Sequence, residues 1–208
     1  MKQSIVTLDM EGVLTPEIWI AVAEQTGISE LRRTTRDEPD YDKLMHYRLD
    51  LVNRHGLKLS DIQRVIGELR PLPGAKEFLD ELRTISQVII LSDTFEQFAT
   101  PLLRQLGWPT IMCHRLIVED DRVTGYQLRV HEQKMKAVAA LKCLNYHVVA
   151  AGDSFNDTTM LAEANVGFLI HAPENVKQQF PQFQPVESHA ELLTLIRENL
   201  NPPIDPLI

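Results

Sequence analysis

Two carboxylates, Asp9 and Glu11, stand two residues apart where the apolar run Ile5-Val6-Thr7-Leu8 gives way to Gly12. A carboxylate can attack an electrophilic centre such as phosphorus and carry the product covalently. A second can protonate a leaving oxygen and later deprotonate water, provided its surroundings separate the two pKa values. Gly12 lets the chain turn close to a ligand. An acidic strand end followed by glycine is also ordinary structure, so this pair weighs little alone.

A heavier signal is Gly152-Asp153-Ser154-Phe155-Asn156-Asp157, again after an apolar run. Asp153 and Asp157 offer hard oxygens suited to Mg2+, directly or through water. Asn156 can orient one of those carboxylates or a phosphate oxygen, although Asn156 or Asp157 would also serve as a plain helix cap. Ser92-Asp93-Thr94 supplies a hydroxyl and backbone N–H groups that can hold a phosphate at a helix start. Lys134 and Lys136 are both candidates to neutralise Asp9 and a transferring phosphoryl group.

These residues need a frame that converges on one point. Val88–Asp93, Val148–Asp153 and Val166–Ile170 repeat the pattern of Ile5–Asp9, short apolar runs of the kind buried on both faces of a parallel sheet. Between them, residues 75–82 and 95–106 place apolar side chains three and four apart, as helices do. The alternation predicts an α/β fold with a Rossmann-like parallel sheet and right-handed crossovers. A helix is expected from Glu132 toward Cys143, another near Asn156, and a last one over Ala190–Leu200, stopped by Asn201-Pro202-Pro203. Residues 115–119 and 123–128 read as a hairpin around Asp120-Asp121-Arg122.

The sixty or so residues before Pro71-Leu72-Pro73-Gly74 exceed what one crossover needs. Helical patterns at 16–27, 42–56 and 60–69 fill them, the last with a capping-box spacing from Ser60. An inserted helical cap over residues 14–72, with 1–13 and 73–208 forming the catalytic core, is expected to close over the strand ends, where parallel sheets place ligands.

Composition sets the bounds. The 208 residues are 44% hydrophobic and carry a formal charge of -8. No Lys/Arg run offers the basic field that nucleic acid demands. No stretch approaches the roughly 20 apolar residues of a membrane span. The N-terminus lacks the order of a signal peptide, and Cys113 and Cys143 are too few for a disulfide scaffold, so a cytoplasmic protein is expected. His46, His55 and His114 have no metal-binding spacing and read as packing or surface residues.

The order carboxylate pair, Ser/Thr site, lysine and acidic cluster resembles the haloacid dehalogenase superfamily over nearly the whole chain. Asp9-Met10-Glu11-Gly12-Val13 matches its first motif, Ser92 the second, Lys134 the third, and Gly152–Asp157 the fourth. The phrases Leu14-Thr15-Pro16-Glu17-Ile18-Trp19, Thr34-Thr35-Arg36-Asp37, Leu91–Phe95 and Ala151–Met160 resemble its phosphoserine phosphatase subgroup, also named for phosphoserine:homoserine phosphotransfer. The resemblance implies Asp9 as nucleophile, Glu11 as acid/base with its backbone carbonyl on Mg2+, and Asp153 as a metal ligand supported by Asp157. It also implies Ser92 and Lys134 on the phosphoryl group, with Glu17 and Arg48 on the substrate ammonium and carboxylate. Glu11 departs from the superfamily, which usually has aspartate there, and agrees with the subgroup. Expected partners are phosphoserine and homoserine. Two other readings stay open, a phosphatase for another small phosphomonoester and a metal- or phosphate-binding protein without turnover.

Overall fold

β1 (Ser4–Leu8) is buried at every residue, and its alternate side chains enter two different apolar clusters. Val6 and Leu8 join Ile90, Val149 and Phe168 in one, and Ile5 joins Leu91, Val148 and Leu169 in the other. That two-sided burial is why its sequence is apolar without a break. The computed structural model describes residues 2–35, 37–38 and 40–200. Arg36 and the stop and tail at 201–208 lie outside the described residues.

β1 sits in a seven-stranded sheet of order β4-β3-β2-β1-β5-β6-β7. β2 (Gln87–Phe95) and β5 (His147–Gly152) flank it in parallel, and β6 (Val166–Ile170) and β7 (Gln184–Val186) continue on the β5 side. The chain leaves β1 for one side of the sheet and returns on the other at β5. That reversal opens a crevice at the carboxyl ends of the strands.

The connecting helices are α4 (Ala75–Ile85), α5 (Glu96–Gln105), α6 (Gln133–Cys143), α7 (Thr158–Glu163), α8 (Glu174–Gln179) and α9 (His189–Asn199). The expected hairpin is present but belongs to the sheet. β3 (Ile111–Glu119) pairs parallel to β2 at Ile111 and Met112, then antiparallel to β4 (Arg122–Gln127) from Arg115 onward. The sheet is therefore mixed rather than wholly parallel. α8 and β7 were not anticipated. β7 has three residues, two of them exposed, and carries no periodicity to read.

Three helices fill the long interval after β1: α1 (Ile18–Thr26), α2 (Tyr41–Arg54) and α3 (Leu59–Glu68). Their buried side chains, among them Val22, Met45, Val52, Ile62 and Ile66, belong to the same apolar cluster as one face of the sheet. The two connecting segments are tied together where Leu72 N–H donates to the Leu14 carbonyl at 2.9 Å.

α3 is not capped by Ser60. The helix begins one residue earlier, Asp61 accepts from Lys58 N–H at 3.0 Å, and the Ser60 hydroxyl donates to Asp121 of the β3–β4 turn at 2.6 Å. A long-range partner outcompetes the local one. Pro101 within α5 has no N–H for the Gln97 carbonyl, and Gln63 of α3 supplies a donor to it at 2.9 Å. No described helix is long and apolar enough to cross a membrane.

Candidate active site

Asp9 follows β1 directly, and its own N–H donates to the Ala151 carbonyl of β5 at 3.0 Å, which locks the nucleophile candidate to the neighbouring strand end. Asp153 follows β5. Gly12 and Gly152 make the approach of these loops feasible. A Cβ on Gly12, at φ +79°, would overlap the Asp153 carboxylate, and one on Gly152 would overlap Asp157. Only glycine fits either place.

One carboxylate oxygen from each of Asp9, Asp153 and Asp157 lies within 4.8 Å of the others, and all three residues are buried. Facing them, Lys134 Nζ is 2.9 Å from Asp9, 2.7 Å from Asp157 and 3.7 Å from Asp93. Lys136, two residues on along α6, is exposed. The site therefore holds Lys134.

Burial and the adjacent Asp157 hold the Asp9 carboxyl well above the usual range, although Lys134 opposes them. Burial alone would lower Lys134, yet Asp157 and Asp9 hold it well above the ordinary lysine value. One ammonium among Asp9, Asp93, Asp153 and Asp157 leaves excess negative charge in a buried space. A hard divalent cation relieves that excess, so the oxygen donor set fits Mg2+.

Asp157 is already committed. Its Oδ1 accepts from Lys134, and its Oδ2 accepts the Asp153 and Ser154 N–H groups at 3.0 and 3.1 Å. It both organises its own turn and steers the lysine, so the capping and functional readings of this residue coincide.

Glu11 reaches toward α1, where its Oε2 accepts Ile18 N–H at 2.8 Å and so satisfies an orphan donor of the helix. Burial first, then the nearby Glu17 carboxylate, push its pKa up to about 7, while the Ile18 N–H opposes the rise. The Thr94 hydroxyl faces Glu11 rather than open space. Glu17 precedes α1 without capping it through its side chain.

The opposite wall comes from α2. Arg48 is buried, its Nη2 donates to the Arg33 carbonyl at 2.7 Å, and its guanidinium lies 4.9 Å from the Trp19 ring centre. Its Nε is buried without a hydrogen-bond partner among the described residues. Burial lowers its pKa to about 10, so it stays charged at neutral pH.

Every site residue expected from the sequence lines one cavity of about 80 Å3, except Asp157, which is fully buried behind Lys134. Ser92 is buried within β2, which runs on to Phe95, so the Ser92-Asp93-Thr94 triplet precedes the start of α5 rather than forming it, and the Ser92 hydroxyl accepts Thr94 N–H at 3.3 Å. Trp19, Thr34 and Thr35, which belong to the phrases that carry the family resemblance but have no role assigned from the sequence, also line the cavity, as does Tyr41, which no motif marks. Tyr41 donates its hydroxyl to the Asp93 carbonyl at 2.8 Å, a contact across 52 residues that no local pattern reveals.

Comparison with known proteins agrees with this arrangement. "Phosphoserine phosphatase ThrH" of Pseudomonas aeruginosa is 60% identical over 189 residues, covering 90% of this chain and 92% of that one. "Phosphoserine phosphatase" of Pseudomonas syringae pv. tomato is 60% identical over 189 residues, covering 90% and 80%. The crystal structure of phosphoserine phosphatase from T. onnurineus shares the fold at TM-score 0.73 and 24% identity, covering 96% of each chain. Residues 4–165, from β1 through the Asp153–Asp157 turn, match the haloacid dehalogenase-like hydrolases, and the chain belongs to that family.

Proposed function

We propose that this protein is a cytoplasmic, Mg2+-dependent phosphoserine phosphatase that passes the phosphoryl group through an aspartyl-phosphate on Asp9 and also transfers it to homoserine. One observation carries the substrate assignment. Inside a cavity built for phosphoryl transfer, the buried Arg48 guanidinium keeps an unpartnered Nε. A buried cationic donor without a partner costs free energy unless a ligand completes it, and a carboxylate is its natural complement. Glu17 in the same cavity suits an ammonium, and the two together describe an α-amino acid. The 60% identity to two phosphoserine phosphatases supports the same reading.

Asp9 attacks phosphorus while Lys134 and Ser92 hold the phosphoryl oxygens. Backbone groups at Asp93 and Thr94 and the Asn156 amide complete that cradle. Glu11 protonates the departing serine oxygen, then deprotonates the incoming acceptor. Asp9, Asp153 and the Glu11 carbonyl would hold Mg2+, with Asp157 behind them, and the bound ion would supply charge neutralisation at the phosphoryl oxygens. The insert carrying α1–α3, residues 14–72, acts as a cap over the 1–13 and 73–208 core. It brings Arg48 and Glu17 to the amino-acid half of the substrate and limits access of water.

Arg48→Ala should discriminate sharply against phosphoserine, with kcat/KM falling by the equivalent of about 2–5 kcal/mol. A carboxylate-free aryl phosphate should lose much less. Steady-state comparison of both substrates checks this, and equal losses would assign Arg48 to support of Trp19 and the cap instead.

Incubating labelled phosphoserine with rising homoserine tests the overall function. Label should appear in inorganic phosphate at low homoserine and increasingly in O-phosphohomoserine as homoserine competes with water. Homoserine keeps the ammonium and carboxylate that Glu17 and Arg48 recognise, so it can occupy the place serine leaves. Phosphate release without phosphohomoserine at any concentration would leave a phosphatase alone, and no release at all would reject the assignment.

A further inference from the structure

The Asp93 side chain poses a problem for any phosphoryl-transfer site. An anion here repels the incoming phosphate, so its presence needs an offsetting gain. Its contacts indicate the gain. Oδ1 accepts from Gln133 Nε2 at 3.1 Å and lies 3.6 Å from His114 Nε2, while Oδ2 accepts from Asn156 Nδ2 at 3.2 Å and lies 3.7 Å from Lys134 Nζ. Gln133 is buried, and its Nε2 also donates to the Ser92 carbonyl at 2.5 Å, while its Oε1 accepts from Arg129 Nε at 3.3 Å.

We infer that the buried Gln133 and the half-buried Asp93 carboxylate form one positioning clamp, which holds Lys134 and Asn156 on the phosphoryl group without touching that group. This rests on the phosphoryl-transfer reading of the site. Gln133 and Lys134 are consecutive at the start of α6, so tying Gln133 to the end of β2 fixes where the lysine leaves its helix. Asp93 then draws Lys134 and Asn156, from α6 and the turn after β5, toward the same strand end. Three chain segments distant in sequence acquire one geometry.

The test is a double-mutant cycle of Asp93→Asn and Gln133→Met, run with an aryl phosphate so that amino-acid recognition does not enter. Each single variant should lower kcat roughly 10- to 100-fold, the scale of misplaced supporting groups. The double variant should be no worse than the poorer single, because the two act as a unit. Inhibition by inorganic phosphate separates positioning from loss of fold. Asp93→Asn removes an anion, so the Ki for phosphate should hold or tighten while kcat falls. Multiplicative losses in the double variant, or unchanged kcat in Asp93→Asn, would overturn the clamp. Should Gln133→Met fail to fold by circular dichroism, Gln133→Ala takes its place in the same cycle. A wild-type enzyme that forms no phosphoenzyme would overturn both the clamp and the reading beneath it, whereas multiplicative losses in an active enzyme count against the clamp alone.

Discussion

Asp9→Asn should abolish covalent phosphorylation and lower turnover on the order of 10⁶-fold, the scale seen when a nucleophile is removed from a covalent hydrolase. The substitution is isosteric, and an amide has no lone pair fit to displace an alcohol from phosphorus. Its backbone anchor, the N–H bond to Ala151, is untouched, and Lys134 keeps Asp157 at 2.7 Å. The fold should therefore survive. In metal-free protein the change should even be neutral or favourable at neutral pH. Burial and Asp157 raise the folded-state pKa of Asp9, so its contribution is most favourable in acid and is lost as pH rises through that raised value. Intact-protein mass spectrometry after brief exposure to phosphoserine reads the outcome, and a phosphoryl adduct on the asparagine variant would remove Asp9 from its role.

The parts of the fold legible in the sequence are those whose signal is local. β1, β2, β5 and β6 are apolar because both faces are covered, and the residues at the ends of β1, β2 and β5 declare their chemistry by type. Asp9, Ser92 and Asp153 could be placed before any coordinates because each simply follows or ends a run of buried residues. What escaped depends on partners far along the chain. Lys134 and Lys136 are indistinguishable by spacing, and the packing of α6 against β2, β5 and α7 buries one and leaves the other exposed. Gln133 looks like any helix-start glutamine until the Ser92 carbonyl is placed beside it. His114 is buried, in keeping with a packing residue, but the Asp93 carboxylate beside it lies on another strand and no local pattern pairs the two. The Ser60 cap failed for the same reason, since Asp121 lies 61 residues away.

Glu11→Gln carries the second large effect, and it should split the reaction rather than merely slow it. The glutamine carbonyl can still accept the Ile18 N–H, so the start of α1 should be kept. What is lost is the proton. With a pKa of about 7, Glu11 is populated in both protonation states near neutrality, as a group that first donates and then accepts must be. Serine leaves as a poor alkoxide unless protonated, so phosphoserine turnover should fall roughly 10²–10⁴-fold. An aryl phosphate with a good leaving group needs no such proton, and Asp9 should still be phosphorylated from it at near the wild-type rate. Water or homoserine must then attack without a base. The variant should consequently accumulate phosphoenzyme from the aryl phosphate, visible as a burst of phenol with one equivalent retained per site, where the wild type turns over steadily. If both substrates instead lose rate equally and no phosphoenzyme builds up, proton transfer belongs to another group and Glu11 serves only to anchor α1.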